Sequence, residues 1–315
     1  MKAIVIEKYG SADELILKDL PVPEPEKGEI RVRVRACGLN PVDFKIRLGH
    51  LEELFPVKFP WIPGGDVAGV VDKVGDDVSH LKQGDRVFFA APLDKNGGYA
   101  EYCTVDAGSA VAIPSRLSFE EAATLPVAGL TSVQALRDFG QVKPGHKVLI
   151  HAGAGGVGTL AIQYAKALGA EVYTTASEGN AEYVRSLGAD VVINYREQNF
   201  VELCQQAGGM DVVLESLGGL FYPESIKATK SGGRVPCIVN PPDSDTQGLA
   251  ASSEIKTDFL LLESRPADLE HLCSLVDSET IRPGLFEKIS MNQIRDAHKK
   301  LESGRTKGKL ILSMP

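Results

Sequence analysis

Hydrophobic and polar positions follow two different patterns along this chain. Up to about residue 117, short apolar runs are separated by turn residues. The clearest run is Ile30-Arg31-Val32-Arg33-Val34-Arg35-Ala36, which alternates apolar and basic residues with period two. It predicts a strand with Ile30, Val32 and Val34 inward and three arginines toward water. Runs at 66–74, 86–90, 99–105 and 110–113 predict further strands, and together a folded-over β-barrel or sandwich. The opening Lys2-Ala3-Ile4-Val5-Ile6-Glu7 reads as a first strand; its apolar stretch is too short for a signal peptide.

The pattern changes after Pro114. Ser118-Phe119-Glu120-Glu121 has the spacing of a capping box and opens a helical segment. From Lys147 onward, short apolar strands at 148–151, 171–176, 191–194, 212–215 and 234–239 alternate with helical stretches at 161–168, 181–187, 201–207 and 223–229. Such alternation specifies a parallel sheet covered on both faces. Helix patterns at 268–276 and 297–301 and a closing strand at 309–312 follow.

Composition narrows the possibilities. At 315 residues the chain is long enough for two domains. With 43% hydrophobic and 24% charged residues it has the balance of a soluble globular protein. Its net charge of -8 repels phosphate backbones, which argues against a nucleic-acid partner. The longest uncharged stretch, 148–165, is broken by four glycines and by His151, Thr159 and Gln163, which excludes a membrane span there. Cysteines 37, 103, 204, 237 and 273 are odd in number and lack a Cys-x-x-Cys pair, so neither a disulfide framework nor a thiolate zinc site is expected, and a cytoplasmic location is.

The candidate chemistry begins at Gly153-Ala154-Gly155-Gly156-Val157-Gly158. This G-x-G-x-x-G run follows an apolar strand and precedes a helix whose Ile162, Ala165 and Leu168 share a face, the context a dinucleotide fingerprint requires. Glycines there permit a tight turn and close approach of backbone to pyrophosphate at the helix N-terminus. A glycine-rich turn without a ligand is the plain alternative. The next strand ends Thr175-Ala176-Ser177-Glu178. Ser177 stands where an NAD-selecting carboxylate is expected, and a hydroxyl tolerates a 2′-phosphate, so NADPH is favoured over NADH. Arg185 is the nearby cation; Glu178 reads otherwise as an exposed helix-start residue.

Further stretches carry a resemblance. They are Ala36-Cys37-Gly38-Leu39-Asn40-Pro41-Val42-Asp43, Pro63-Gly64-Gly65-Asp66-Val67-Ala68-Gly69-Val70-Val71, Gly84-Asp85-Arg86-Val87, Gly98-Tyr99-Ala100-Glu101-Tyr102, Ala128-Gly129-Leu130-Thr131, Ile193-Asn194-Tyr195-Arg196 and Lys307-Gly308-Lys309. With the glycine loop, they resemble the medium-chain dehydrogenase/reductase superfamily, and within it the zinc-free quinone and enone reductases, nearly end to end. The resemblance implies an α/β architecture: a GroES-like catalytic domain of residues 1–122 and 265–315, and a Rossmann domain of residues 123–264. It also implies a homodimer. The catalytic-zinc positions of the alcohol dehydrogenases correspond to Asn40, Gly65 and Ala128, which offer no thiolate or imidazole, and the structural-zinc lobe is replaced by a short polar loop at 91–98. A protein without zinc is expected.

Without a metal to stabilise an alkoxide, simple alcohol oxidation loses several kcal/mol of transition-state support. A quinone or an α,β-unsaturated carbonyl spreads the incoming charge through conjugation and needs hydrogen-bond donors and an apolar slot. The implied activity is therefore hydride transfer from NADPH to a quinone or enone. Alternatives are a zinc-free reductase of another carbonyl, or a non-catalytic NADP-binding sensor or structural protein.

Catalytic candidates are Asn40, Asp43 and Lys45. Asn40 would hydrogen-bond ribose or substrate oxygen, or merely cap the turn at Pro41. Asp43 would shuttle a proton or hold Lys45, or serve as N-cap of a short helix over 44–48. Lys45 would stabilise oxyanion charge, or be solvated. For the cofactor, the resemblance adds Thr131 at the nicotinamide side, Tyr195 at the adenosine 2′-phosphate and Leu217 over the cofactor; Asn180 stands where a lysine is common. His151 reads as a satisfied strand residue, Cys37 as a packing or surface cysteine, and 240–243 as a polar loop.

Overall fold

The computed structural model describes residues 1–314. Its strands are β1 (Lys2–Val5), β2 (Ile16–Asp19), β3 (Glu29–Gly38), β4 (Asp66–Val74), β5 (Arg86–Ala90), β6 (Tyr102–Asp106) and β7 (Val111–Ala112). They continue as β8 (Lys147–Ile150), β9 (Glu171–Ala176), β10 (Val191–Asn194), β11 (Met210–Leu214), β12 (Thr229–Cys237) and β13 (Lys256–Phe259). Two more, β14 (Phe286–Ile289) and β15 (Lys309–Ser313), close the chain's elements. The chain divides into one compact unit of residues 1–127, 264–279 and 283–314 and another of 128–263 and 280–282.

The first unit is built on β3. Its alternation buries Ile30, Val32 and Val34, leaves Arg33 in water, and half-buries Arg31, which pairs with Asp72 and Glu24. β3 runs antiparallel against β4, with Gly38 opposite Asp66. β6 pairs with residues 29–33 of β3, whereas β15 pairs with its far end, Ile311 opposite Gly38. Register shifts in β3 between Arg31 and Val32 and between Val34 and Ala36 bend the sheet where these partners exchange. The sheet order is β14-β15-β3-β4-β5-β7, with β6 on β3, over a core that includes Trp61, Phe89 and Tyr99.

The second unit is a six-stranded parallel sheet in the order β10-β9-β8-β11-β12-β13. Counted from β8, this is 3-2-1-4-5-6, the doubly wound order of a Rossmann fold, with its topological switch between β8 and β11. Helices Gly156–Ala167, Ala181–Ser186, Phe200–Gln206 and Phe221–Ala228 connect the strands. The capping box at Ser118 and Glu121 is present, on a one-turn helix Phe119–Ala122. Residues 244–252, which carried no helical signal beyond the polar loop before them, form a helix capped by Asp243. No helix among the described residues is long and apolar enough to cross a membrane.

Candidate active site

In the first unit, strand pairing gathers residues that are far apart in sequence. Asn40 follows the end of β3, Asp66 begins β4 opposite Gly38, and Lys309 begins β15, where Leu39 donates its N–H to Leu310 O at 2.9 Å. The three side chains bond to one another. Asn40 donates from Nδ2 to Asp66 Oδ2 at 2.8 Å and accepts from Lys309 Nζ at 2.8 Å, while Lys309 also pairs with Asp66 Oδ2. Asp66 Oδ1 takes the Val127 N–H. All three residues are buried, so this ion pair is sheltered from screening water.

Asn40 is the N-cap of the helix Pro41–Arg47, with Pro41 at its first position. This corrects the expectation that Asp43 caps a helix starting at 44. Asp43 is instead the third helical residue, and its Oδ2 takes the Asn40 N–H at 2.7 Å and the Tyr99 hydroxyl at 3.1 Å. Pro41 explains the difference: its ring suits the first turn, so the helix begins three residues earlier than the aspartate suggested. Asp43 is 0% exposed, and its Oδ1 has no hydrogen-bond partner. Burial pushes its pKa up to about 7, against the hydrogen bonds that favour the anion. Behind Tyr99 lies His298, at 3.3 Å, and behind His298 lies Arg47, at 3.4 Å. Burial and the Arg47 cation lower the His298 pKa to about 3, so this imidazole is neutral. Lys45 is half-buried on the same helix.

In the second unit the glycine loop leaves β8 at the switch point. A Cβ on Gly153 would stand 2.1 Å from Thr174 Oγ1, and one on Gly158 2.4 Å from Ala152 O. Those two glycines permit the turn to press against β9 and the helix to press against the turn. Gly155 is different: a Cβ there would meet only Ala152 O, at 3.2 Å. Gly155 is the N-cap of the twelve-residue helix Gly156–Ala167, and no side chain caps that end. Helix N–H groups that no side chain caps, behind a loop with no side chain at Gly155, are what a pyrophosphate requires, so these residues fit a dinucleotide. Ala154, Gly156 and Val157 complete the loop.

At the end of β9, Ser177, Glu178 and Arg185 line a cavity of about 280 Å³ with Asn194, Glu197 and Gln198. Tyr195, just beyond, is 56% exposed. Leu217 is 39% exposed in the turn after β11, and Thr131 is buried in the helix Pro126–Val133. Cys37 is fully buried, a packing residue.

Family models match both parts of the chain. One described as an alcohol dehydrogenase GroES-like domain covers residues 26–115, and one described as a zinc-binding dehydrogenase covers 187–312. A quinone oxidoreductase of Sus scrofa is 34% identical, over 99% of this chain and 97% of the relative. The chain belongs to the medium-chain dehydrogenase/reductase superfamily, in its quinone oxidoreductase-like group. A 2-methylene-furan-3-one reductase of Solanum lycopersicum is 36% identical over 99% of this chain and 79% of the relative. Among solved structures, the Escherichia coli quinone oxidoreductase complexed with NADPH is 30% identical, with a TM-score of 0.90 and full coverage of both chains.

As a medium-chain dehydrogenase/reductase the protein is an oxidoreductase with a GroES-like domain and a Rossmann domain. The matched family name mentions zinc, but this chain's donor set does not fit the metal. Asn40 has committed its amide to Asp66 and Lys309, Gly65 has no side chain, and Ala128 has only a methyl group. Among the described residues, no group of three or more His, Cys, Asp or Glu is placed to hold a metal ion. The sequence reading named neither Asp66 nor Lys309 as a site residue; the only signal was their place in motifs that resemble the superfamily.

Proposed function

We propose that the protein is an NADPH-dependent reductase that transfers hydride to a quinone or an α,β-unsaturated carbonyl without zinc. The observation that carries this reading is the Asn40–Asp66–Lys309 cluster: at the position of a metal ligand in alcohol dehydrogenases stands an amide tied into a buried ion pair. A site organised in this way lacks a Lewis acid and suits an acceptor whose conjugation carries the charge. The NADPH complex of the E. coli relative and the enone-type substrate named for the tomato relative support the same reading.

The nicotinamide, when bound, supplies the hydride. The chain holds and orients. Gly153 through Gly158 receive the pyrophosphate at the uncapped helix end, Thr131 serves the nicotinamide side, and Leu217 covers the cofactor. Ser177 and Tyr195 face the adenosine 2′-phosphate, with Arg185 as the balancing cation in the cavity beside Ser177. Asp66 and Lys309 fix the Asn40 side chain, and Asp43 fixes its backbone N–H, so that Asn40 presents one orientation to ribose and substrate. Lys45 places a cation on the same helix for charge developing on the substrate oxygen, and water supplies the product's proton. The protein works as a homodimer in the cytoplasm in this reading.

The test follows NADPH and NADH oxidation with a benzoquinone, a naphthoquinone, an alkyl enone and a simple ketone, each with and without a chelator. Chelator-insensitive turnover of the quinones or the enone, faster with NADPH, is expected. Chelator-sensitive reduction of the ketone would overturn the metal-free assignment. Tight NADPH binding with no turnover of any acceptor would transfer the assignment to a cofactor-binding sensor.

A further inference from the structure

Beneath the two loops at the Rossmann switch point lies a set of buried polar side chains that the reading above does not use. Glu215 follows β11 and is 0% exposed. Its Oε1 accepts the N–H groups of Leu217, at 2.5 Å, and Gly218, at 2.8 Å; its Oε2 accepts the Ser225 hydroxyl. Ser225 lies 3.0 Å from His151 Nε2, and His151 Nδ1 lies 3.3 Å from Thr175 Oγ1. Thr175 Oγ1 in turn accepts the N–H of Ala152 at 3.0 Å. One proton arrangement satisfies every member. Ala152 N–H donates to Thr175, the Thr175 hydroxyl to His151 Nδ1, His151 Nε2–H to Ser225, and Ser225 to the Glu215 carboxylate. Burial lowers the His151 pKa, in keeping with a neutral imidazole that donates from one nitrogen and accepts at the other.

The chain of bonds has a mechanical meaning. Ala152 opens the glycine loop with φ +51°, a left-handed conformation that a non-glycine residue adopts at a cost. Leu217 and Gly218 form the turn after β11, with Gly218 at φ +70°. The strained Ala152 and the glycine turn after β11 are tied to the same wire, and Ser216 Oγ adds a bond to His151 O at 3.2 Å.

We propose that Ser225, His151 and Thr175 are positioning residues which, with Glu215, hold the two switch-point loops at the spacing that sets affinity for the dinucleotide. The inference rests on the reading of those loops as the cofactor site. It is tested with Ser225→Ala, which breaks the wire but leaves Leu217 and Gly218 bonded to Glu215, and Thr175→Val, which breaks it at the other end.

NADPH dissociation constants measured by calorimetry are expected to rise about five- to tenfold in each variant, the worth of one buried hydrogen bond. The KM for NADPH should follow, with kcat at saturating NADPH within about twofold of wild type on the same scale. The double variant should be no worse than either single one, because a series connection is lost only once. Amide hydrogen exchange of the cofactor-free protein should quicken at Ala152 and stay slow at Leu217 and Gly218 in Ser225→Ala. Unchanged dissociation constants, or additive losses in the double variant, would overturn the proposal. So would a fall in kcat or in melting temperature with affinity preserved. If one variant fails to fold, the other alone decides through affinity and exchange. A wild-type protein that binds neither NADPH nor NADH removes the cofactor reading and this role with it, whereas wild-type binding with unaltered variants removes only this role.

Discussion

Each unit of the molecule buries a neutral histidine in a directional chain of hydrogen bonds that ends on a carboxylate, but the two chains end differently. In the Rossmann unit, His151 leads through Ser225 to Glu215, whose two oxygens together accept three hydrogen bonds. In the GroES-like unit, Arg47 and His298 lead through Tyr99 to Asp43, which accepts two bonds on one oxygen and none on the other. Two carboxylates that are both fully buried therefore differ in how many donors reach them. Burial raises the pKa of Asp43, and the two hydrogen bonds it accepts offset that only in part. Turn N–H groups at a strand end serve Glu215, whereas Asp43, in the first turn of its helix, receives the Asn40 N–H and the Tyr99 hydroxyl on the same oxygen.

The largest effect is expected from turning a third carboxylate into the poorer kind. Lys309→Met leaves Asp66 buried without its cation and should cost about 3–5 kcal/mol in denaturant unfolding. A cost below about 1 kcal/mol, the level of an exposed pair, would mean that water reaches Asp66. Next is Glu215→Ala, which strands the N–H groups of Leu217 and Gly218 and the Ser225 hydroxyl. About 2–4 kcal/mol is expected, more than for Asp43→Ala, and equal costs would break the contrast.

The pH dependence sharpens the contrast further. Asp43 holds its proton to about 7 in the folded protein but releases it near 3.8 when unfolded. The folded state therefore binds more protons in that window, and this contribution to stability is lost as pH rises through it. His298 acts oppositely: it stays neutral to about 3 when folded and takes a proton below 6.5 when unfolded, so its contribution is lost as pH falls. The two partly cancel in mild acid. Unfolding free energies measured from pH 5 to 8 should show Asp43→Asn gaining on wild type until about pH 7 and then running parallel. A constant difference across the range would show that Asp43 does not titrate there. The smallest effect is expected from Tyr99→Phe, which removes one donor to Asp43 and should cost about 1 kcal/mol, with a further rise in the aspartate's pKa visible by carboxyl NMR.

Much of the Rossmann unit was legible because its signals are local. Strands at 171–176 and 191–194 were bounded correctly by apolar runs, and the glycine loop lies where the strand-to-helix context required. The helix Ser244–Ser252 is not legible in the sequence because it has no marked apolar face: Gly248, Leu249, Ala250 and Ala251 follow one another among polar residues, and its clearest cue, the Asp243 cap, stands at the end of a Pro-rich polar loop. The site of the other unit was harder for a topological reason. Asn40 stood out, but its partners lie 26 and 269 residues away and meet it only through the registers of β4 and β15 on β3. Periodicity gives a strand its faces and says nothing of its neighbours.

The place of β15 also orders the birth of the protein. The far end of β3 receives this partner only from residues that lie beyond the whole Rossmann unit. As the chain leaves the ribosome, β3, β4 and Asn40 emerge early, and Asp66 must wait for Lys309, 243 residues further along the chain. The Rossmann unit, apart from the short 280–282 segment, is continuous in the chain and can fold as it is synthesised, whereas the GroES-like sheet spends that interval with an open edge and an unneutralised carboxylate. A ribosome stalled before β15 would therefore hold a dinucleotide domain close to finished beside a catalytic domain still waiting for its last strand.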